Sequence, residues 1–198
     1  LIWGGSAGVI FSFLVEMAIP ASEFVTMAIV APLAEELAKA SVFILVATGA
    51  RKLELTSLTD HIFYAGICAL GFAFVENLGY FALSSSAGEF VVMALVRTGF
   101  GVFGHPLYTT ATAVGIWAWR TKGGLWKAAV GYIAACLLHG LWNGGPTLLA
   151  GSLGLDDTGQ LAAMILVYIV LFVPVFIGTI IMTTRNRRNE YEAVRSQL

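Results

Sequence analysis

Residues 160–183 read QLAAMILVYIVLFVPVFIGTIIMT, a run of 24 residues without one charged side chain. A helix rises 1.5 Å per residue, so this run is about 36 Å long when helical. Hydrocarbon about 30 Å thick needs about 20 apolar residues to be crossed. Transmembrane strands are shorter, about ten residues, and alternate apolar with polar, which this run does not. It reads as a transmembrane helix. The rest of the chain agrees: of 198 residues 58% are hydrophobic and only 12% charged, with a mean hydropathy of +0.84. Soluble domains carry about 25% charged residues, so a water-soluble globule is excluded. A net charge of −1 argues against nucleic acid as a partner. Cys68 and Cys136 both lie in apolar stretches, so no disulfide framework is expected.

Working outward, five further apolar runs stand at about 1–19, 23–49, 60–84, 89–119 and 125–150. Their connections hold helix-stopping residues: Pro20, Ser84 to Gly88, the pair Gly123 and Gly124, and 151–159 with Asp156 and Asp157. The expected fold is all-α, a polytopic transmembrane bundle of six spans over 1–184, followed by a basic tail over 185–198. Nine of the eleven Lys and Arg lie in the second–third connection (Arg51, Lys52), around the fourth–fifth (Arg120, Lys122, Lys127) and in the tail (Arg185, Arg187, Arg188, Arg195). The other connections hold acids and no base. Six crossings put these two sets on opposite sides, so the positive-inside rule places the C-terminus in the cytoplasm. The chain opens in apolar sequence at Leu1 without a basic leader. It reads as a fragment or processed form starting in or just before a span of a cell-membrane protein.

Each charge at the bilayer centre costs about 2.5–3.5 kcal/mol on insertion scales. Spans two to five nevertheless hold Glu35, Glu36, Lys39, Glu76, Arg97, His105 and His139. Intramembrane ionisable groups are functional candidates by default. Glu35 and Lys39 are four apart, as are Phe72 and Glu76, His105 and Thr109, and His139 and Asn143. Positions i and i+4 share a helix face, so four spans each offer one polar stripe. At 1.5 Å per residue Glu35 lies about 18 Å, His139 about 21 Å, and Glu76 and His105 about 24 Å from their span ends. The four can meet in one layer near mid-membrane. Arg97, about two turns from the outer boundary, can snorkel or pair with Glu76 and stays outside the catalytic set. His105 precedes Pro106, which should kink the fourth span. Together with Gly99, Gly101 and Gly104, that kink can open a hydrated cavity.

The pattern EExxK (Glu35, Glu36, Lys39), FxxxEN (Phe72, Glu76, Asn77), HPxxT (His105, Pro106, Thr109) and HxxxN (His139, Asn143) resembles the PrsW family of intramembrane proteases. The resemblance places it within a wider group that also includes the type II CAAX prenyl proteases. The CAAX branch shows EExxxR and then FxxxH; here the base comes one position earlier and Glu76 stands for the first histidine. The resemblance implies peptide-bond hydrolysis in the membrane with Glu35 as general base. Lys39 would pair with Glu35 or Glu36, and Asn143 could donate its amide to the oxyanion. Two mechanisms stay open. In one, Glu76, His105 and His139 bind zinc, the His₂Glu set of several metallopeptidases. In the other no metal binds, and the two histidines stabilise the oxyanion while Glu35 drives the water. The implied partners are the lipid bilayer and a membrane-anchored protein substrate, such as a single-span regulatory protein of the anti-sigma-factor kind. The rival readings are a proton- or ion-coupled transporter, since buried Glu, Lys and His also serve relays, and an inactive scaffold.

Overall fold

A computed structural model describes residues 1–49 and 55–196. The described residues form six helices and no strand. We number them α1 (Gly4–Ala18), α2 (23–48), α3 (Leu58–Ala82), α4 (Ala87–Lys122), α5 (Trp126–Leu153) and α6 (Asp157–Arg195). Helices α3, α4 and α6 are long and apolar enough to cross a membrane. The molecule is an all-α membrane bundle. Helix α2 carries Glu35, Glu36 and Lys39, and α5 carries His139 and Asn143; these helices give up apolar length to the polar residues they hold.

Local chemistry sets the boundaries. Ser57 accepts from the Asp60 N–H at 3.0 Å while Asp60 accepts from the Ser57 N–H at 2.7 Å, a capping box that starts α3. Ser86 caps α4 by accepting from the Glu89 N–H at 3.2 Å. Gly123 and Gly124 adopt positive φ of 66° and 82°, a region open to glycine, and reverse the chain between α4 and α5. Two differences from the sequence reading have simple causes. Helix α6 does not stop at Thr183; it runs on to Arg195, where Arg188 and Glu192 pair at 2.8 Å along one face. Helix α4 breaks before Pro106 rather than at it. A π-turn at Arg97–Gly101 and a turn at 102–103 precede a fresh start at Gly104. Pro106 therefore sits in a first helical turn, where its missing N–H costs little.

Packing is close where glycines face backbone. Gly115 of α4 meets Gly131 of α5 so tightly that a Cβ on Gly131 would lie 2.5 Å from the Ala111 carbonyl and 2.9 Å from Gly115 Cα. Gly140 of α5 lies against the Ala28 carbonyl of α2 in the same manner, and Gly144 against the Ala28 and Phe24 side chains. Gly131→Leu is expected to cost about 1–3 kcal/mol by overpacking, read as a lowered Tm in detergent. Gly66→Ala, where a Cβ meets nothing within 4 Å, should not lower it.

At one end of the bundle Arg120 Nη1 donates to the Leu55 carbonyl at 2.6 Å and lies 3.1 Å from His61 Nε2. The second connection and the end of α4 thus meet at the same end of the bundle. Arg51 and Lys52 fall outside the described residues. His61 is buried, with Nδ1 on the Ser57 carbonyl at 2.7 Å; it anchors this end rather than facing the membrane interface.

Candidate active site

Helices α2, α3, α4 and α5 each send one polar stripe to a common buried layer. From α2, one helical turn carries Glu35, Glu36 and Lys39, all buried. Lys39 Nζ donates to Glu36 Oε1 at 2.8 Å and pairs with Glu35 Oε2 at 3.4 Å. It also contacts His105 Nδ1 at 2.9 Å and lies 4.2 Å from the Phe72 ring centroid. An ammonium has only hydrogens to offer, so His105 Nδ1 accepts and the ring proton sits on Nε2. That Nε2–H faces Glu76 Oε2 at 3.0 Å.

His139, from α5, is fixed from the other side. Its Nδ1 lies 3.2 Å from Glu36 Oε1; a carboxylate accepts, so Nδ1 carries the proton and the Nε2 lone pair is free. Nε2 lies 3.8 Å from Glu35 Oε2, and His105 Nδ1 lies 3.9 Å from the same oxygen. Thr109, one turn beyond His105, donates to Glu36 Oε2 at 2.9 Å. Glu36 is thus engaged at both oxygens and its side chain is 0% exposed, whereas that of Glu35 keeps 6%. Of the two, Glu35 is the less completely buried and the less fully engaged.

The structure brings six of the seven expected residues together: Glu35, Glu36, Lys39, Glu76, His105 and His139. Within the six it changes the grouping. Among the described residues, the donor atoms that lie within 4.8 Å of one another belong to Glu35, His105 and His139. Glu76, expected as the third donor, stands instead at the opposite ring nitrogen of His105. There it also accepts from Arg97 Nη2 at 2.7 Å. Asn143 shares the face of His139, but its Nδ2 donates to the Met27 carbonyl at 3.0 Å and ties α5 to the π-turn of α2 at Thr26–Val30.

Arg97, kept outside the catalytic set, makes the pair with Glu76 that the sequence allowed and lies beside the site. One residue was passed over in the sequence: Tyr108 is fully buried, its ring stacked on His139 at 4.6 Å between centroids and 18° between planes. Its hydroxyl has no hydrogen-bond partner among the described residues. Tyr108 is three residues after His105, a spacing that shares a helix face, and that was its available signal.

The donor set suits a divalent cation. Imidazole and carboxylate are zinc's usual nitrogen and oxygen ligands. Tetrahedral zinc with bonds of about 2.0–2.1 Å sets its ligands about 3.4 Å apart; Glu35 Oε2 stands 3.8 and 3.9 Å from the two histidine nitrogens, and His105 Nδ1 would have to exchange its Lys39 contact for the ion. Each histidine gives its other nitrogen to a carboxylate, Glu36 for His139 and Glu76 for His105. Metal-ligating histidines are oriented in this way. Among the described residues, the carboxylates of Glu35, Glu36 and Glu76 are met by two fixed cations, Lys39 and Arg97.

Over residues 1–179 the chain matches the PrsW family of intramembrane metalloproteases. It belongs to that family. No curated protein and no solved structure matches it. As a PrsW-family member the protein is an intramembrane protease, acting on a protein substrate in the membrane. The buried Glu35, His105 and His139 group is where such a metalloprotease could hold its metal.

Proposed function

We propose that this protein is a zinc-dependent endopeptidase that cuts a membrane-anchored protein within the bilayer, with Glu35, His105 and His139 holding the ion. The observation that carries this reading is that Glu35, His105 and His139 each bring one donor atom within 4.8 Å of the other two. Zinc bound there would polarise the scissile carbonyl and make an adjoining water more acidic.

The chain's own groups do the rest. Glu35, the less completely buried of the α2 carboxylates, would hold the ion through Oε2 and through its other oxygen take a proton from the attacking water and return it to the leaving amine. Glu36 holds the Nδ1–H of His139, and Glu76 holds the Nε2–H of His105, so each imidazole keeps its other nitrogen turned to the centre. Lys39 offsets the paired carboxylates of α2 at a depth where neither is solvated. The break in α4 at 102–103 supplies irregular backbone beside the site, which a membrane tolerates where it lines a cavity.

The protein is read as a multi-pass cell-membrane protein whose peptidase domain spans 1–184, with the basic segment 185–198 in the cytoplasm. The substrate read from the resemblance is a single-span regulatory protein, with an anti-sigma factor as the example. The direct test needs no substrate. Protein purified in detergent without chelator is expected to hold near-stoichiometric zinc, and His139→Ala to lose it while keeping its helical circular dichroism. A well-folded wild type free of metal would overturn the zinc assignment.

A further inference from the structure

Arg97 sits in the π-turn Arg97–Gly101, immediately before the break in α4. Its guanidinium is held from three sides by one stretch of α3. Nη2 donates to Glu76 Oε2 at 2.7 Å and Nε to Asn77 Oδ1 at 2.6 Å, while its Cζ lies 3.7 Å from the Tyr80 ring centroid. A planar fork engaging two adjacent side chains and stacked on an aromatic face has little freedom left. The Glu76 oxygen that receives Arg97 is the one that lies 3.0 Å from His105 Nε2. Both side chains of the Arg97–Glu76 pair are only 19% exposed, so solvent screening is limited.

We propose that Arg97 is a positioning residue of the peptidase site, fixing Glu76 so that Glu76 fixes the His105 ring with Nδ1 turned to the donor centre. The inference rests on the reading of His105 as part of that centre. A carboxylate behind a histidine orients it only when the carboxylate is itself held. Among the described residues, the basic side chain paired with Glu76 besides His105 is Arg97. The π-turn has a role here: it sets the register of α4, so that Arg97 and His105, eight residues apart, reach the same carboxylate oxygen.

The test uses the full chain labelled with ¹⁵N-histidine, observed by NMR in its metal-free state and then titrated with zinc against a competing chelator. In the wild type His105 should show one tautomer with the proton on Nε2. In Arg97→Ala, Lys39 still holds Nδ1, so the tautomer should stay, but the His105 Nε2 resonance should shift and broaden as Glu76 loses its anchor, while the resonances of His61 stay in place. Zinc should then bind about 10–100-fold more weakly, the usual cost of losing an outer-shell partner. Arg97→Lys, which keeps the charge without the fork, should fall between. In a Glu76→Gln background Arg97→Ala should add little, because both act on one hydrogen bond. Unchanged His105 resonances in folded Arg97→Ala, or full additivity with Glu76→Gln, would overturn the proposal. If Arg97→Ala does not fold, Arg97→Lys decides, since wild-type His105 resonances and zinc affinity there would show that the fork is not needed. A wild type that binds no zinc sinks the metal reading instead, and the NMR comparison still judges Arg97.

Discussion

Glu35→Gln is expected to lower cleavage of a verified single-span substrate in proteoliposomes by at least about 100-fold, the scale on which general acid–base catalysis acts. Glutamine keeps the length of the side chain and an oxygen that can face Lys39, so the helical circular dichroism and the other site contacts should survive. What it loses is the capacity to take a proton and the charge that a metal ligand supplies. Glu35 rather than Glu36 is the residue for this role because both Glu36 oxygens are already engaged, by Lys39 and His139 at one and by Thr109 at the other. The metal content of the variant separates the two contributions. Zinc retained with turnover lost marks the proton transfer; zinc lost marks ligation. Cleavage at the wild-type rate would remove Glu35 from the mechanism altogether.

The bundle was legible because its evidence is one-dimensional. An uncharged run such as 160–183 can hardly be anything but a span, and stripes at i and i+4 on four helices report which faces look inward. The same spacing is silent on rotamers and on the azimuth between helices. It could therefore group Glu76 with the two histidines when Glu35 lies between them and Glu76 stands behind His105. Asn143 shows the same blindness in another form. Its place one turn from His139 follows from the sequence, but the Met27 carbonyl that takes its amide belongs to a π-turn that no residue pattern announces. For Arg97 the pair with Glu76 was one of two readings and is the one observed, but nothing in the spacing announces that Asn77 and Tyr80 would share its guanidinium. The end of α6 was misread for a related reason. A charge marks where hydrocarbon ends, and a helix has no need to end with it.

Lys39→Met is expected to be the most damaging single change to stability. The side chain of Lys39 is 0% exposed, and its ammonium lies 2.8 Å from Glu36 and 3.4 Å from Glu35. Methionine fills similar space without the charge and leaves those carboxylates facing each other, with side chains 0% and 6% exposed. Removing one partner of a buried ion pair costs about 3–5 kcal/mol; Glu36 would keep its contacts with His139 and Thr109 but lose the ammonium that offsets its charge. That loss should appear as a large fall in Tm in detergent, with cleavage abolished. Lys39→Met combined with Glu36→Gln distinguishes an electrostatic cause from lost packing. Replacing both members of a buried pair by neutral groups is often close to harmless, so the double variant should regain much of the lost Tm. Cleavage should not return, because His139 then has only an amide oxygen behind its Nδ1–H and His105 no longer meets an ammonium. A Lys39→Met protein as stable as the wild type would show that the carboxylates of α2 are not both charged in the resting site, and that the charge balance argued for the cluster is wrong.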